Sequence, residues 1–501
     1  MGVLRVFRSL ISLYTIALSA KYFGVSIERD AWVIGGGIIA VFSGFLFGPI
    51  VNIFRTKFVH LKEEEGEDAA VKATSALIGG IVGISSAIIV ISLIYPQIYT
   101  KIFAPGFTPS EDSVLLLMIR CLMPSLLINQ IIIIWTAILN SYNSFFMPDI
   151  FGFLSGILNI LFILVLAPYI NIYSLIISSY ISSIIFGYLL VRMLKKKKIH
   201  LHIFHFSWKD FKPYLVFALP LYLNYFAGQF LAVVEKRLCT LLDSGTVSAF
   251  DYAKRFGDLT LNVILSIVPM VLTPILAGLF VKKLYIDFNK EFLLYVRMFM
   301  IGVIPIVLCF TLCAEDIVQL LFIKGSFRPE FREITSSTLF WMGIGIIGVV
   351  LYVISGEALV AQKKVKTITI ASSLAYIIIA TIDIIFYKQY GAPLFAFSWA
   401  VIHILLGLCL ILTSSGIVEK VAFLKELFRI MIFYIVCFTA ALLIGNLFIN
   451  NIVDARMIIF KLVSVGSVSI IIIFALVFIF RMEERNLILK VVNNLTNKIN
   501  D

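Results

Sequence analysis

A chain of 501 residues that is 61% hydrophobic and only 14% charged cannot cover a soluble surface with polar groups, so most of it takes lipid as solvent. Its mean hydropathy of +1.04 says the same. The net charge of +12 raises nucleic acid as a partner, but the basic residues cluster in short connections between apolar stretches, where membrane topology accounts for them without one.

Apolar stretches able to cross about 30 Å of hydrocarbon recur from end to end. In chain order they predict spans over 2–24, 31–57, 72–98, 112–140, 149–168 and 172–194. A second set covers 213–242, 247–281, 287–313, 331–361, 365–388 and 391–414, and two more cover 427–449 and 455–481. The expected fold is an all-α polytopic membrane protein with fourteen transmembrane helices. The first helix has no small-residue cleavage signature and reads as part of the mature protein.

Connections on the side of the N-terminus carry the lysine and arginine excess: "RMLKKKKIH" with Lys209 and Lys212, then Lys282–Lys283, "QKKVK" and Lys420 to Lys425. The opposite connections are short and poor in lysine, so both termini are expected in the cytoplasm. The "KKKK" run also offers a partner to lipid head groups. "HLKEEEGEDAAVK" reads as a solvated loop, and the histidines at 200, 202 and 205 as an interfacial loop with Trp208. The six cysteines form no CxxC pair and read as buried thiols.

The chain repeats itself. "GVSIERDAW" begins at Gly24 and "GTVSAFDYA" at Gly245, an offset of 221, with glycine and aspartate six apart in both. "IFAPGF" and "LFIKGSF" place Gly106 and Gly325 at an offset of 219, and "LNSYNSFFMPD" is matched by "ALVAQKKVKT". These landmarks predict two six-helix halves, 1–194 and 213–414, joined by a basic cytoplasmic linker at 195–212. Residues 415–501 add helices 13 and 14 and a cytoplasmic tail. Six is even, so the halves are parallel repeats around a central cavity. Nothing resembles the filter loop of a channel.

A charge at the bilayer centre costs on the order of 3 kcal/mol, so it faces a partner or a wet cavity. The candidates are Arg120, Glu235, Lys236, Arg237, the cluster "FDYAKRFGDLTL", Arg297, Glu357 and Asp383. In the cluster, Asp251 with Arg255 and Lys254 with Asp258 have helical spacing for mutual pairing. Either these pairs support a helix end, or Arg255, tuned by Asp258, faces the cavity and holds an anionic group with its donor fork. Asp30 reads as a cap on the second span and as the repeat partner of Asp251. Glu235 and Glu357 are structural counter-charges or coupling sites for a cation or proton. No Walker motif, nucleophile elbow or metal-spaced histidine set is present, and the short loops offer little room for an active site. A transporter is therefore favoured over an enzyme, with no cofactor.

Taken together, "AKYFG" followed by Asp30, "FAPGF", "AILNSYNSFFMP", "LDSGTVSAFDYAKRF" and "LFIKGSF" resemble the MviN/MurJ family, within the multidrug/oligosaccharidyl-lipid/polysaccharide exporter superfamily. The resemblance implies a flippase of the bacterial cytoplasmic membrane. Its substrate would be lipid II, the undecaprenyl-diphosphate-linked peptidoglycan precursor. Partners would be the bilayer and cell-wall synthesis proteins, and the driving force a monovalent cation gradient or the membrane potential. It implies cavity roles for Asp30, Arg255 and Asp258, with Arg255 on the diphosphate; Lys254, Asp251 and Arg8 complete the expected binding set. The chain departs from the family pattern where Ser9, Thr15, Ile16 and Ser43 stand at charged positions of spans one and two, and Arg55 lies too far along to replace one. Those departures keep open another polyprenyl-diphosphate-linked oligosaccharide as substrate, or a membrane scaffold that no longer transports.

Overall fold

The computed structural model describes residues 2–142, 144, 146–199, 201–323, 325–413, 417–446 and 455–479. His200, Asn143 and Phe145 of the fourth joint, and the tail from 480 lie outside the described residues.

The described chain is almost wholly helical. It runs through α1 (Gly2–Phe23), α2 (Ile27–Phe42), a π-helical turn at Ser43–Phe47 and α3 (Gly48–Glu65). Next come α4 (Glu67–Ile94), the short α5 (Gln97–Phe103), α6 (Pro109–Leu122), α7 (Ser125–Ser141), α8 (Phe146–Ile170) and α9 (Tyr173–Lys196). Two long helices follow, α10 (Trp208–Thr240) and α11 (Thr246–Val281), then α12 (Tyr285–Gly302), α13 (Ile304–Leu312) and α14 (Ala314–Leu321). The rest is α15 (Arg332–Ala361), α16 (Val365–Tyr390), α17 (Pro393–Thr413), α18 (Lys420–Asn446) and α19 (Ala455–Ile479).

Thirteen helical stretches among the described residues are long and apolar enough to cross a membrane, and α1 is a further helix of 22 residues. The chain is thus an all-α polytopic membrane protein. Three expected spans are interrupted, each at a proline, which lacks the N–H of a helical hydrogen bond and crowds the preceding turn. Pro124 stands between α6 and α7, and Pro305 just inside α13. Pro49 begins α3, and the wider π-helical turn before it absorbs the misfit.

The helices pack as two units. The first comprises 1–252 with 322–331 and 380–392; the second comprises 253–321, 332–379 and 393–501. In the first, α3, α4, α7, α9 and α10 bury Phe47, Ile134, Leu190 and Tyr214 in one cluster. Phe54 stacks on Phe58 at 5.7 Å and on Tyr214 at 5.9 Å between ring centroids. In the second, α15 is its most enclosed long helix and lies against α17 where small residues let two backbones approach. Two ion pairs tie the last helices to this unit. Arg297 of α12 meets Glu426 of α18 at 3.1 Å, and Lys461 of α19 meets Asp316 of α14 at 2.6 Å.

Candidate functional site

The first unit contains a buried polar cluster where α1 ends, α2 and α11 begin, and 322–331 packs. Gly24 (φ 52°) and Gly245 (φ 103°) turn the chain with left-handed backbone just before α2 and α11. Ser26 caps α2, its hydroxyl accepting from the Arg29 N–H at 3.2 Å. Gly245, ahead of α11, has no side chain with which to cap it. Asp30 of α2 supplies that cap instead. Its carboxylate accepts the N–H groups of Gly245 and Ser248, each at 2.8 Å, and the Ser248 hydroxyl. The expectation that Asp30 caps its own helix is corrected: Ser26 fills that place, and the carboxylate is spent on another helix's orphan N–H groups and positive dipole end.

Arg29 crosses in the same direction. It is only 2% exposed and donates to the Asp251 carboxylate at 2.8 Å and to the Tyr252 hydroxyl at 3.1 Å. Its guanidinium lies over the rings of Trp32 and Tyr252, 4.5 and 4.8 Å from their centroids. Tyr252 in turn donates to the Gly24 carbonyl at 3.0 Å and packs on Phe322 and Phe327. The repeat landmarks thereby meet: Asp30 and Asp251 belong to one network, joined through Arg29.

Around this network two glycine notches mirror each other. A Cβ on Gly106 would stand 1.9 Å from the Thr240 carbonyl oxygen, and one on Gly325 would stand 2.2 Å from the Lys21 carbonyl oxygen. Thr240 and Lys21 are themselves 219 positions apart, the same step as Gly106 to Gly325. Ser326 donates its N–H to Lys21 at 3.0 Å, and Arg328 donates to the Val25 carbonyl at 3.1 Å. On the other notch, the Ser244 hydroxyl donates to Glu111 at 2.6 Å, and Arg237 donates to the Lys101 and Ile102 carbonyls at 3.2 and 2.9 Å, at the end of α5. We call the whole arrangement the latch.

The other expected site residues are distributed. Lys254, Arg255 and Asp258 occupy the next two turns of α11; Arg255 is exposed, while Lys254 and Asp258 are half-buried. Arg8 is exposed on α1 beside Gly152 of α8, 16 residues before Gly24 and therefore about 24 Å from it along the helix. Glu235 is buried on α10, Lys236 lies against Gly37 of α2, and Arg120 is exposed. Glu357 of α15 accepts the Thr273 hydroxyl of α11. Ser43, at a position where the family pattern is charged, accepts from the buried Gln130 side chain in the π-helical turn. Among the described residues, no group of histidine, cysteine and carboxylate side chains is arranged to hold a metal ion.

Sequence reasoning missed Arg29, Tyr252, Ser248, Glu111 and Arg328. The available signal was the triplet Glu28–Arg29–Asp30 at a helix start, where an arginine opposes the dipole and so needs a carboxylate elsewhere.

The sequence profile described as "Lipid II flippase MurJ" matches residues 19–484. The chain belongs to the MurJ family. Among its relatives, the lipid II flippase MurJ of Thermosipho africanus is 24% identical over 391 residues, covering 77% of this chain and 78% of that one. A probable lipid II flippase MurJ of Thermotoga maritima is 23% identical over 442 residues, covering 86% and 87%. Among solved structures, a lipid II flippase MurJ in an inward closed conformation superposes with a TM-score of 0.79 at 22% identity, over 97% of this chain and 99% of that one. An inward-facing multidrug resistance transporter of the MATE family, in the MOP superfamily, gives 0.68 at 15% identity, over 86% and 98%. A chain of this family is a transporter and not an enzyme.

Proposed function

We propose that this chain is a lipid II flippase of peptidoglycan synthesis, carrying the diphosphate-sugar head from the cytoplasmic to the outer leaflet by alternating access while the polyprenyl tail stays in lipid. The observation that carries this reading is the MurJ family match across residues 19–484. The fold is read as fourteen spans in the bacterial cytoplasmic membrane, with both termini inside. Two parallel six-helix halves, 1–194 and 213–414, enclose the cavity, the linker 195–212 joins them in the cytoplasm, and 415–501 adds helices 13 and 14. The lysine-rich connections support that orientation, and the mirrored notches support the repeat.

In this reading the latch is the outer gate, drawn shut by the Asp30 cap and the Arg29–Asp251 pair. Opening it must strip the cap from α11 and part Arg29 from Asp251. Parting the pair takes the carboxylate from the buried Arg29 guanidinium, a cost of roughly 3–5 kcal/mol for a broken buried pair. The substrate therefore has to bind the open state better to shift the balance. Arg255 lies one turn beyond Asp251 on α11, so its position follows any movement of the gate. It neutralises the diphosphate, with Asp258 setting its orientation and Asp30, Asp251, Lys254 and Arg8 completing the charged path. Glu235 and Glu357 are the coupling sites for a monovalent cation or the membrane potential.

Ser9, Thr15, Ile16 and Ser43 favour one second reading, a different polyprenyl-diphosphate-linked oligosaccharide, because they thin the positive charge of the N-terminal half. Native mass spectrometry of the protein after incubation with lipid II and a second linked glycan separates the two. Lipid II retained preferentially, and lost in Arg255→Ala, is the expected result; preferential retention of the other glycan would transfer the assignment to it.

A further inference from the structure

The connection between α9 and α10 is built in a way that transport of a lipid-linked head does not require. α9 ends in a motif whose left-handed residue is a lysine. Lys198 has φ 60°, its N–H bonds the Lys195 carbonyl at 2.9 Å, and the Ile199 N–H bonds the Leu194 carbonyl at 3.0 Å. Leu194 and Ile199 are both buried, which completes the hydrophobic contact of this helix stop. Glycine is the residue that occupies such a position without strain. Here it is a lysine in a run of four, Lys195 to Lys198, and all four are exposed. α11 and α15 stop in the same way on Lys283 (φ 59°) and Lys363 (φ 60°).

The following residues are held by their backbone on α4 and by Leu201 and Ile203, which pack against the core. The His202 N–H donates to the Ser75 hydroxyl at 3.2 Å, and the His205 carbonyl seats so closely on Gly79 of α4 that a Cβ there would lie 2.1 Å from its oxygen. With the backbone pressed on α4, the aromatic side chains are turned outward. Phe204 is 89% exposed, Phe206 53% and Trp208 56%, and Lys209 and Lys212 beside them are exposed too. In the nearby acidic run Glu67 is held by Lys62 at 3.3 Å and by the Tyr142 hydroxyl at 2.5 Å, while Glu63, Glu64, Glu65 and Asp68 are exposed; Lys197 lies over the Tyr142 ring at 5.7 Å from its centroid.

We propose that this connection is a binding surface for anionic phospholipid head groups of the surrounding bilayer. Exposed aromatic rings held at the end of an apolar helix suit the head-group level, and a lysine cluster in the same connection matches the phosphates of an anionic leaflet. The ligand is bulk phospholipid and not the transported molecule, so this surface is independent of the transport reading.

The test uses the full chain in nanodiscs of equal phosphatidylglycerol and phosphatidylcholine, without lipid II. Native mass spectrometry counts the lipids that stay bound. The wild type should retain phosphatidylglycerol at least about twofold over its share, and raising the salt from 0.15 to 0.5 M should erase most of that excess. The variant K195Q/K196Q/K197Q/K198Q should fall to the bulk ratio, whereas replacing the same four lysines by arginine should keep the enrichment. Trp208→Ser should lower it while leaving the lysines in place. Equal enrichment in the wild type and the glutamine variant would overturn the proposal and leave the patch to an acidic protein. Loss of enrichment in the arginine variant would overturn it as well, because the effect would then not be one of charge.

Discussion

The Asp30 carboxylate accepts the backbone N–H of Ser248 at 2.8 Å across a sequence separation of 218 residues, so a side chain of α2 caps α11. The relationship is a helix cap supplied from outside the helix, and it can be removed without touching α11 itself.

Asp30→Ala should leave the Gly245 and Ser248 amides without acceptors at a helix start. Loss of a cap costs about 1–2 kcal/mol, which is roughly a tenfold rise in local opening for each 1.4 kcal/mol. Hydrogen exchange of these amides should accelerate by about that factor, while amides deep in α15 keep their protection. Unchanged exchange at 245 and 248 would show that the cap carries no stability.

Arg29→Ala and Asp251→Ala should each lower thermal stability, since each breaks a 2.8 Å ion pair whose arginine is buried and whose carboxylate is half-buried. The double variant should be less destabilised than the two losses added together, by about 1 kcal/mol or more. Arg29→Lys should not restore the wild type, because a lysine cannot serve Asp251 and the Tyr252 hydroxyl together while lying between two rings.

Gly325→Ala should prop the latch open, because its Cβ would meet a backbone carbonyl that cannot swing aside and the glycine has φ 66°. Gly106→Ala should do the same at the mirrored notch. Spin-label distances between residues flanking Gly24 and residues flanking Gly325 should lengthen, with the closed population falling at least about tenfold, or ~1.4 kcal/mol. Gly278→Ala, where nothing lies within 4 Å of the added carbon, is the matched control and should change neither distance.

Glu426→Gln should loosen α18 from α12. Glu426 holds Arg297 at 3.1 Å and Arg429 at 3.3 Å, and Arg297 is only 7% exposed on its side chain. Arg297→Met should be tolerated better than Arg297→Ala, since both leave Glu426 to Arg429 but only the longer apolar side chain fills the space. Thermal unfolding in detergent reads both.

Much of this architecture was legible because lipid imposes a simple rule, with long apolar runs as helices and lysines in the connections between them. The spacing of Gly24 to Asp30 and of Gly245 to Asp251 reads as a landmark of an internal repeat, and the same residues lie in the latch. What it could not show was who pairs with whom. Asp251 reads locally as a partner for Arg255 one turn on, and no local spacing foretells that its carboxylate also holds Arg29 from 222 residues away. Asp30 likewise reads as a local cap, and loses that place to Ser26 because Ser26 stands at the helix boundary in extended backbone while Asp30 lies a turn inside. Glu357 with Thr273 and Arg297 with Glu426 join helices far apart in sequence, and no periodicity encodes such pairs.

The central claim is that this chain translocates lipid II with Arg255 on the diphosphate. Purified protein in liposomes, with lipid II supplied on one face and detected on the other by an impermeant reagent, tests it most directly. The account predicts translocation well above protein-free liposomes, reduced at least about tenfold in correctly folded Arg255→Ala, which removes the charge-assisted contact. Translocation at the protein-free rate by the wild type, or at the wild-type rate by Arg255→Ala, would contradict it.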